Sequence, residues 1–206
     1  MTWYKKGTEG LRDDMDHSSK KEIVKRFWLK QGDSRKVCFL DNFAFRFWEH
    51  NVCIDGSWKN WFVCLRENLG EECALCSSDN RPYYVGFYTI LDMTGYTDKK
   101  GVKHVNEKLL FPAKIPILEK LSRKDEKHGG LTGCIFDVTR GASAKSSAVG
   151  DDFDFVEKVE LIKQFPSVDI SPYQYEEILK PEQADRLKII VAKAKDSEHD
   201  TEAVPY

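Results

Sequence analysis

One histidine and three cysteines between positions 50 and 76 have the spacing of a metal site. His50, Cys64, Cys73 and Cys76 follow the pattern H-x13-C-x8-C-x2-C. Thiolates and an imidazole at such intervals are the ligands of tetrahedral structural zinc. The two residues between the last two cysteines let both sulfurs face one ion from a tight turn. The spacing therefore predicts one structural zinc ion that orders this polar stretch.

The same stretch offers an alternative ligand. Cys53 could take the place of His50 and form an all-cysteine site with the other three cysteines. We favour His50, because a fourth thiolate would add negative charge whereas a spare thiol in the interior is harmless. Ordinary reduced cysteines are the simpler alternative, but four of the six cysteines lie within positions 53–76. Cys38 and Cys134 stand in apolar runs and are interpreted as core residues.

The elements that must position this site are mostly short β-type runs. Apolar and β-branched patterns predict strands at 24–30, 35–41, 43–49, 83–91, 106–111, 131–140 and 153–162. Helices are predicted from Pro116, over 172–180 and over 181–195. This order predicts a mainly β fold. A five-stranded OB-fold-like barrel with an inserted zinc-binding subdomain and short C-terminal helices fits it best.

Charge divides the chain into regions. Residues 1–150 carry 25 Lys and Arg against 20 Asp and Glu, whereas residues 151–206 carry 7 against 14. We expect a flexible N-terminal arm at 1–21 and an OB-fold core at 22–165, with the zinc insertion at 50–80. A helical segment at 166–195 and an acidic tail at 196–206 follow. A basic body with an acidic end is typical of a protein that binds a polyanion.

Composition excludes a membrane protein. The chain has 206 residues, of which 41% are apolar and 32% charged, and its mean hydropathy is −0.53. No stretch approaches the roughly 18 consecutive apolar residues of a membrane span. The N-terminus has no hydrophobic signal core, so we expect a cytoplasmic protein (host-cell cytoplasm if it is viral). A reducing compartment favours metal binding over disulfides for these cysteines.

Basic and aromatic residues alternate at several places along the basic body. Binding of single strands needs cations for the phosphates and rings on which bases stack. The pattern predicts nucleic-acid contacts by Arg26, Trp28, Lys30, Arg46, Trp48, Lys59, Arg81, Tyr83, Tyr84, Tyr88, Lys99, Lys100, Lys103, Arg140 and Lys145. The alternative for any one ring is core filling, and Trp58 and Trp61 could instead seal the zinc region against the barrel.

Enzymatic motifs are missing from the sequence. A zinc deaminase needs His-x-Glu before Pro-Cys-x-x-Cys, whereas here Glu49 precedes His50 and no proline precedes Cys73. Neither a phosphate-binding G-x-x-x-x-G-K-[ST] loop nor a G-x-S-x-G elbow occurs. A zinc-stabilised nuclease that works through carboxylates, or a zinc-stabilised base-modifying enzyme, remains an alternative. A zinc-ribbon adaptor that recruits replication or transcription proteins is another.

The metal spacing and the segment RPYYVGFYTILD at 81–92 carry a resemblance. In these two features the chain resembles the zinc-containing single-stranded DNA-binding proteins of T-even-like bacteriophages. The resemblance covers about residues 25–165. The resemblance implies an OB-fold with a zinc subdomain that binds single strands cooperatively in replication, recombination and repair. It places Arg81 and Tyr83 in the DNA groove. It also implies self-association along DNA and recruitment of replication proteins by an acidic tail, although here the basic arm is faint and the tail short.

Overall fold

The computed structural model describes residues 24–97, 101–143 and 145–202. The predicted N-terminal arm, two of the predicted DNA-contacting lysines (Lys99 and Lys100) and the last four residues of the predicted tail lie outside these ranges. No helix in the described part of the chain combines the length and the apolar character needed to cross a membrane.

Antiparallel strands dominate the structure, which confirms the mainly β prediction. The strands are β1 Ser34–Phe39, β2 Phe45–Ile54, β3 Ser57–Val63, β4 Tyr83–Asp92, β5 Tyr96–Thr97, β6 Lys103–His104, β7 Glu107–Lys114, β8 Cys134–Thr139 and β9 Asp152–Lys158. Seven of them form one sheet in the order β3-β2-β4-β1-β8-β9, with β7 also paired to β4. The short strands β5 and β6 form a separate hairpin.

Strand β4 is the central strand of this sheet. Its first half pairs with β2, its last residues pair with β1, and β7 runs along its other side. Gly86 makes this packing possible, since a Cβ atom there would lie 2.7 Å from Leu118 Cδ2 and 2.8 Å from Ala44 Cβ. From Val85 to Asp92 every residue of β4 is buried, so this strand joins the apolar clusters on the two sides of the sheet.

The seven-stranded sheet is open, and the predicted strand at 24–30 is not part of its ladder. That segment makes one isolated parallel bridge, between Arg26 and Leu110. Its backbone then changes partner: the Phe27 N–H donates to Leu110 O and the Leu29 N–H donates to Ala148 O, each at 2.7 Å. Because consecutive hydrogen bonds go to different segments, no continuous strand forms.

The residues expected to form an inserted zinc loop are largely part of the main sheet. Strands β2 and β3 form a hairpin, and Asp55 and Gly56 at its turn have positive φ angles of 51° and 71°. Two positive φ angles in a two-residue turn match the right-handed twist of the flanking strands. The local turn thus extends the sheet as far as the metal ligands.

Six helices are described: α1 Leu65–Leu69, α2 Ala74–Ser77, α3 Ile115–His128, α4 Leu161–Gln164, α5 Tyr175–Ile178 and α6 Ala184–Glu202. Helix α3 agrees with the prediction, with Pro116 in its first turn and Gly129 in the left-handed conformation at its end. Helix α5 covers only four residues of the predicted 172–180. Helix α6 continues beyond the predicted end at 195.

Two of the buried clusters matter for the site. The main core lies between the sheet and α3, and Phe39 at its centre has the rings of Phe111 and Phe136 at centroid distances of 5.5 and 5.7 Å. A smaller cluster surrounds the cysteines and includes Leu187 and Ile190 of α6. The long C-terminal helix therefore packs on the region of the predicted metal ligands.

Candidate metal centre

The four side chains predicted as ligands lie together. His50 belongs to β2, Cys64 caps the N-terminus of α1, and Cys73 and Cys76 belong to the first turn of α2. Their nitrogen and sulfur atoms all lie within 4.8 Å of one another. The β2–β3 hairpin brings the first two ligands together, and the short loop between α1 and α2 returns the chain with the other two.

Distances in this group fit a tetrahedral ion. With Zn–S bonds of about 2.3 Å and Zn–N bonds of about 2.0 Å, tetrahedral geometry places sulfurs about 3.8 Å apart and sulfur and nitrogen about 3.5 Å apart. The Nε2 atom of His50 lies 3.5 Å from Cys73 Sγ and 3.6 Å from Cys76 Sγ. Cys64 Sγ lies 3.5 Å from Cys76 Sγ. The group could therefore hold one metal ion such as zinc.

A neighbouring amide orients the imidazole. His50 Nδ1 lies 2.9 Å from Asn80 Oδ1, and Asn80 Nδ2 donates to Asn51 O at 2.9 Å. Since an amide oxygen only accepts, the proton belongs on Nδ1 and the lone pair of Nε2 faces the sulfurs. Burial also lowers the pKa of His50, which favours the neutral, ligating form.

The thiols need a cation to ionise together. Burial and the neighbouring sulfurs of Cys64 and Cys73 raise the pKa of Cys76 to about 12. Burial disfavours the Cys73 thiolate as well. Hydrogen bonds from backbone N–H groups, of which that of Cys76 contributes most, outweigh the effect of burial and lower the pKa of Cys73. Thiolates at such short separations repel one another, and a divalent cation at their centre removes that penalty. The donor set thus fits a metal ion on chemical grounds also.

Cys53, the alternative ligand, is not in the group. It lies in β2, half-buried, at an irregularity of the β2–β3 register between Val52 and Ile54. With four protein ligands at the corners of the group, a bound ion has no open position for water or substrate. That geometry would give a bound ion a structural role.

The structure adds a feature that the sequence did not reveal. Leu187 and Ile190 of α6 are 0% and 8% exposed and pack in the same cluster as Cys64, Cys73 and Leu75. The sequence predicts a helix over 181–195, but no pattern in it shows which surface that helix covers. The helix shields the metal ligands from solvent.

Three of the residues predicted to contact nucleic acid lie together beside this centre. Trp48 and Tyr84 are cross-strand partners in β2 and β4, and their ring centroids are 5.4 Å apart. Both are partly exposed, and Arg46, two residues before Trp48, is exposed. His50, two residues after Trp48, continues the same face of β2.

Another three of these residues are partly or fully buried. The guanidinium of Arg26 donates to both carboxylate oxygens of Glu49, at 2.8 and 2.9 Å, and Tyr83 OH donates to Glu49 Oε1 at 2.6 Å. Tyr88 is 3% exposed and meets Phe39 edge-on in the main core. Tyr88 is therefore a core residue rather than a stacking surface, and Arg26 and Tyr83 use their polar groups on the protein itself.

The remaining predicted contacts come from several parts of the chain. Arg140 is half-buried, with Nη1 donating to Leu29 O at 2.7 Å. The others described are exposed: Trp28, Lys30, Lys59, Arg81, Lys103 and Lys145. They come from five different parts of the chain, since Trp28 and Lys30 share the segment 24–30.

Comparison with known proteins supplies no relative. No protein-family model, curated protein or solved structure matches this chain. Its function is therefore inferred from its own residues: a His/Cys3 group that could hold a metal ion, the pair of rings beside it and the exposed Arg46.

Proposed function

We propose that this protein binds single-stranded DNA without catalysing a reaction, and that a structural zinc ion fixes the binding surface. The observation that carries this proposal is the pair of rings of Trp48 and Tyr84, with the exposed Arg46 and the candidate ligand His50 on the same strand as Trp48. Rings for bases and a cation for phosphate are the two components of sequence-independent single-strand binding.

Hydrogen bonds connect this ring pair to the metal group. Asn68 of α1 donates through Nδ2 to Trp48 O at 2.8 Å and to Cys64 O at 2.6 Å. The Trp48 N–H donates to Asn68 Oδ1 at 2.9 Å. An ion held by Cys64 orders α1, and α1 through Asn68 holds the backbone of Trp48. The zinc ion thus contributes to DNA binding by fixing a platform, and the bases do not approach it.

The sequence resemblance supports the same function. The ligand spacing and the segment 81–92 resemble zinc-containing phage proteins that coat single strands during replication, recombination and repair. On this proposal the open sheet, together with segment 24–30 between β7 and the loop before β9, corresponds to an OB-fold-like barrel, and the metal hairpin to its zinc subdomain. Self-association along DNA, recruitment of replication proteins by the acidic C-terminal end and a cytoplasmic location belong to the same proposal.

A fluorescence titration of the zinc-loaded protein with oligo-dT tests this function. We expect salt-dependent binding that quenches tryptophan fluorescence, with much weaker binding to duplex DNA of the same length. Arg46→Gln, on an exposed side chain, should weaken oligo-dT binding several-fold and reduce the salt slope by about 1. Phe43→Leu, which alters a ring that is 82% exposed in the bend before β2, is the control. Equal affinity for duplex and single strand would contradict the proposal, as would turnover of the oligonucleotide.

A further inference from the structure

Trp28 is exposed on a rigid backbone. Its neighbours Phe27 and Leu29 are 2% and 1% exposed, and their backbone N–H groups donate to Leu110 O and Ala148 O, each at 2.7 Å. Side chains alternate in direction along extended chain, so anchoring both neighbours in the core turns Trp28 outward, where it is 56% exposed. A ring held in this way loses little conformational freedom when a ligand stacks on it.

A pocket of about 260 Å³ opens beside this ring. Four cations and three carboxylates line it: Lys25, Arg26, Lys30 and Arg35 with Asp33, Asp92 and Glu107. Two of the carboxylates bind two of the cations, since Arg35 Nη1 lies 2.6 Å from Asp92 Oδ2 and Lys25 Nζ lies 2.5 Å from Glu107 Oε1. The ion pairs form the wall of the pocket, and the exposed Lys30 stands two residues from the ring.

We propose that this pocket binds one nucleotide of a single strand, with the base stacked on Trp28 and a phosphate on Lys30. The proposal rests on the proposed function and adds a second contact point to the Trp48–Tyr84 pair. An exposed indole with a cation two residues away matches a base and its phosphate. The volume lies just below the range of about 300–1,000 Å³ for sites that bury a whole drug-sized ligand, which suits a single nucleotide unit.

Two variants of the zinc-loaded full chain test the pocket. Trp28→Leu should weaken oligo-dT binding about tenfold, within the range for loss of one stacked base. Lys30→Gln should weaken it several-fold and reduce the salt slope by about 1. Phe43→Leu is again the control and should leave the affinity unchanged. If the wild-type protein binds oligo-dT and Trp28→Leu binds it equally well, the pocket proposal is wrong while the proposed function stands.

A second measurement separates the pocket from the DNA-binding function. The indole N–H resonance of Trp28, assigned by its loss in Trp28→Leu, should shift on titration with thymidine 5′-monophosphate at millimolar concentration, and Lys30→Gln should reduce that shift. A shift without oligo-dT binding would support a nucleotide pocket and overturn single-strand binding. If neither thymidine 5′-monophosphate nor oligo-dT shifted the indole resonance of Trp28, the pocket proposal would be wrong.

Discussion

His50 Nδ1 and Asn80 Oδ1 lie 2.9 Å apart, and this contact determines which nitrogen of the ring faces the three sulfurs. Asn80→Ala should therefore weaken zinc binding by about 10- to 100-fold, the usual effect of losing a partner of a ligating histidine. Asn80→Asp keeps an acceptor for Nδ1–H and should retain most of the affinity. Competition with a chromogenic chelator measures both.

Asn60 provides the control for this pair of variants. Its Nδ2 donates to Val52 O and Ser57 O, at 3.2 and 2.8 Å, in the same hairpin but away from the ligands. Asn60→Ala should bind zinc with the wild-type affinity. If Asn80→Ala and Asn60→Ala behaved alike, the amide would have no orienting role.

The choice between His50 and Cys53 can be checked by metal content. We expect one equivalent of zinc in the purified, reduced wild-type protein and in Cys53→Ser, because Cys53 lies outside the ligand group. Cys73→Ser and His50→Ala each remove one corner of the tetrahedron and should lower zinc occupancy to a small fraction after dialysis. If Cys53→Ser lost zinc and His50→Ala retained it, the fourth ligand would be Cys53 and not His50.

Helix α6 and the metal should stabilise each other. Leu187 is fully buried in the cluster around the cysteines, whereas Ile189 on the same helix is 57% exposed. Leu187→Asp should detach the helix, which would speed proteolysis within 184–195, and should weaken zinc binding at least about fivefold, because the coupling is reciprocal. Ile189→Asp places the same charge on the solvent side and should change neither. A detached helix with an unchanged zinc affinity would refute the coupling.

Local chemistry explains what the sequence could predict. The pair Cys73-x2-Cys76 fixes a ligand turn from two intervening residues, and Pro116 with Gly129 bounds α3 by backbone preferences that operate within one turn. The alternation of 83–91 likewise predicts the strand β4, since burial of side chains has period two in extended chain.

Contacts between distant residues explain what it could not. The sequence around Arg26 predicts an exposed basic side chain. In the structure its guanidinium donates to the carboxylate of Glu49, 23 positions away, and the side chain is partly buried. Tyr88 has the same alternating neighbours as Tyr84, yet only Tyr88 is covered, by the core around Phe39. No local pattern tells which ring of a strand will be covered, because that depends on elements from elsewhere in the chain.

The buried ion pair of Arg26 and Glu49 should stabilise the fold. The guanidinium also lies over Trp61 and Phe87, with its carbon 4.0 and 4.8 Å from the ring centroids. Arg26→Gln leaves Glu49, which is 1% exposed, without its charge partner and should cost about 3–5 kcal/mol of unfolding free energy in urea denaturation. Arg66→Gln, in an exposed pair with Glu67, should cost less than about 1 kcal/mol.

Oligo-dT binding under folding conditions distinguishes two roles for Arg26. If Arg26 is structural, Arg26→Gln binds DNA at low temperature with an affinity close to that of the wild type. A small loss of stability combined with a large loss of affinity would instead make Arg26 a direct contact.

Asp41 should make stability depend on pH. Burial raises the pKa of Asp41 from 3.8 to about 6, although hydrogen bonds from Tyr175 OH and the Thr89 N–H oppose this. The folded state therefore holds a proton on Asp41 that the unfolded state has already released between about pH 4 and 6. It follows that this group favours folding at the acidic end of that window and that its contribution is lost as the pH rises through 6.

Asp41→Asn removes this titration while keeping the size of the side chain. From pH 5 to 7.5 the wild type should lose about 1 kcal/mol more unfolding free energy than Asp41→Asn, since a shift of one pKa unit corresponds to about 1.4 kcal/mol. Urea denaturation of both proteins at the two pH values gives that difference, in which changes of zinc occupancy common to both proteins cancel. Parallel pH profiles for the two proteins would mean that Asp41 titrates as an ordinary exposed carboxyl, and that Tyr175 anchors the C-terminal segment without a buried charge.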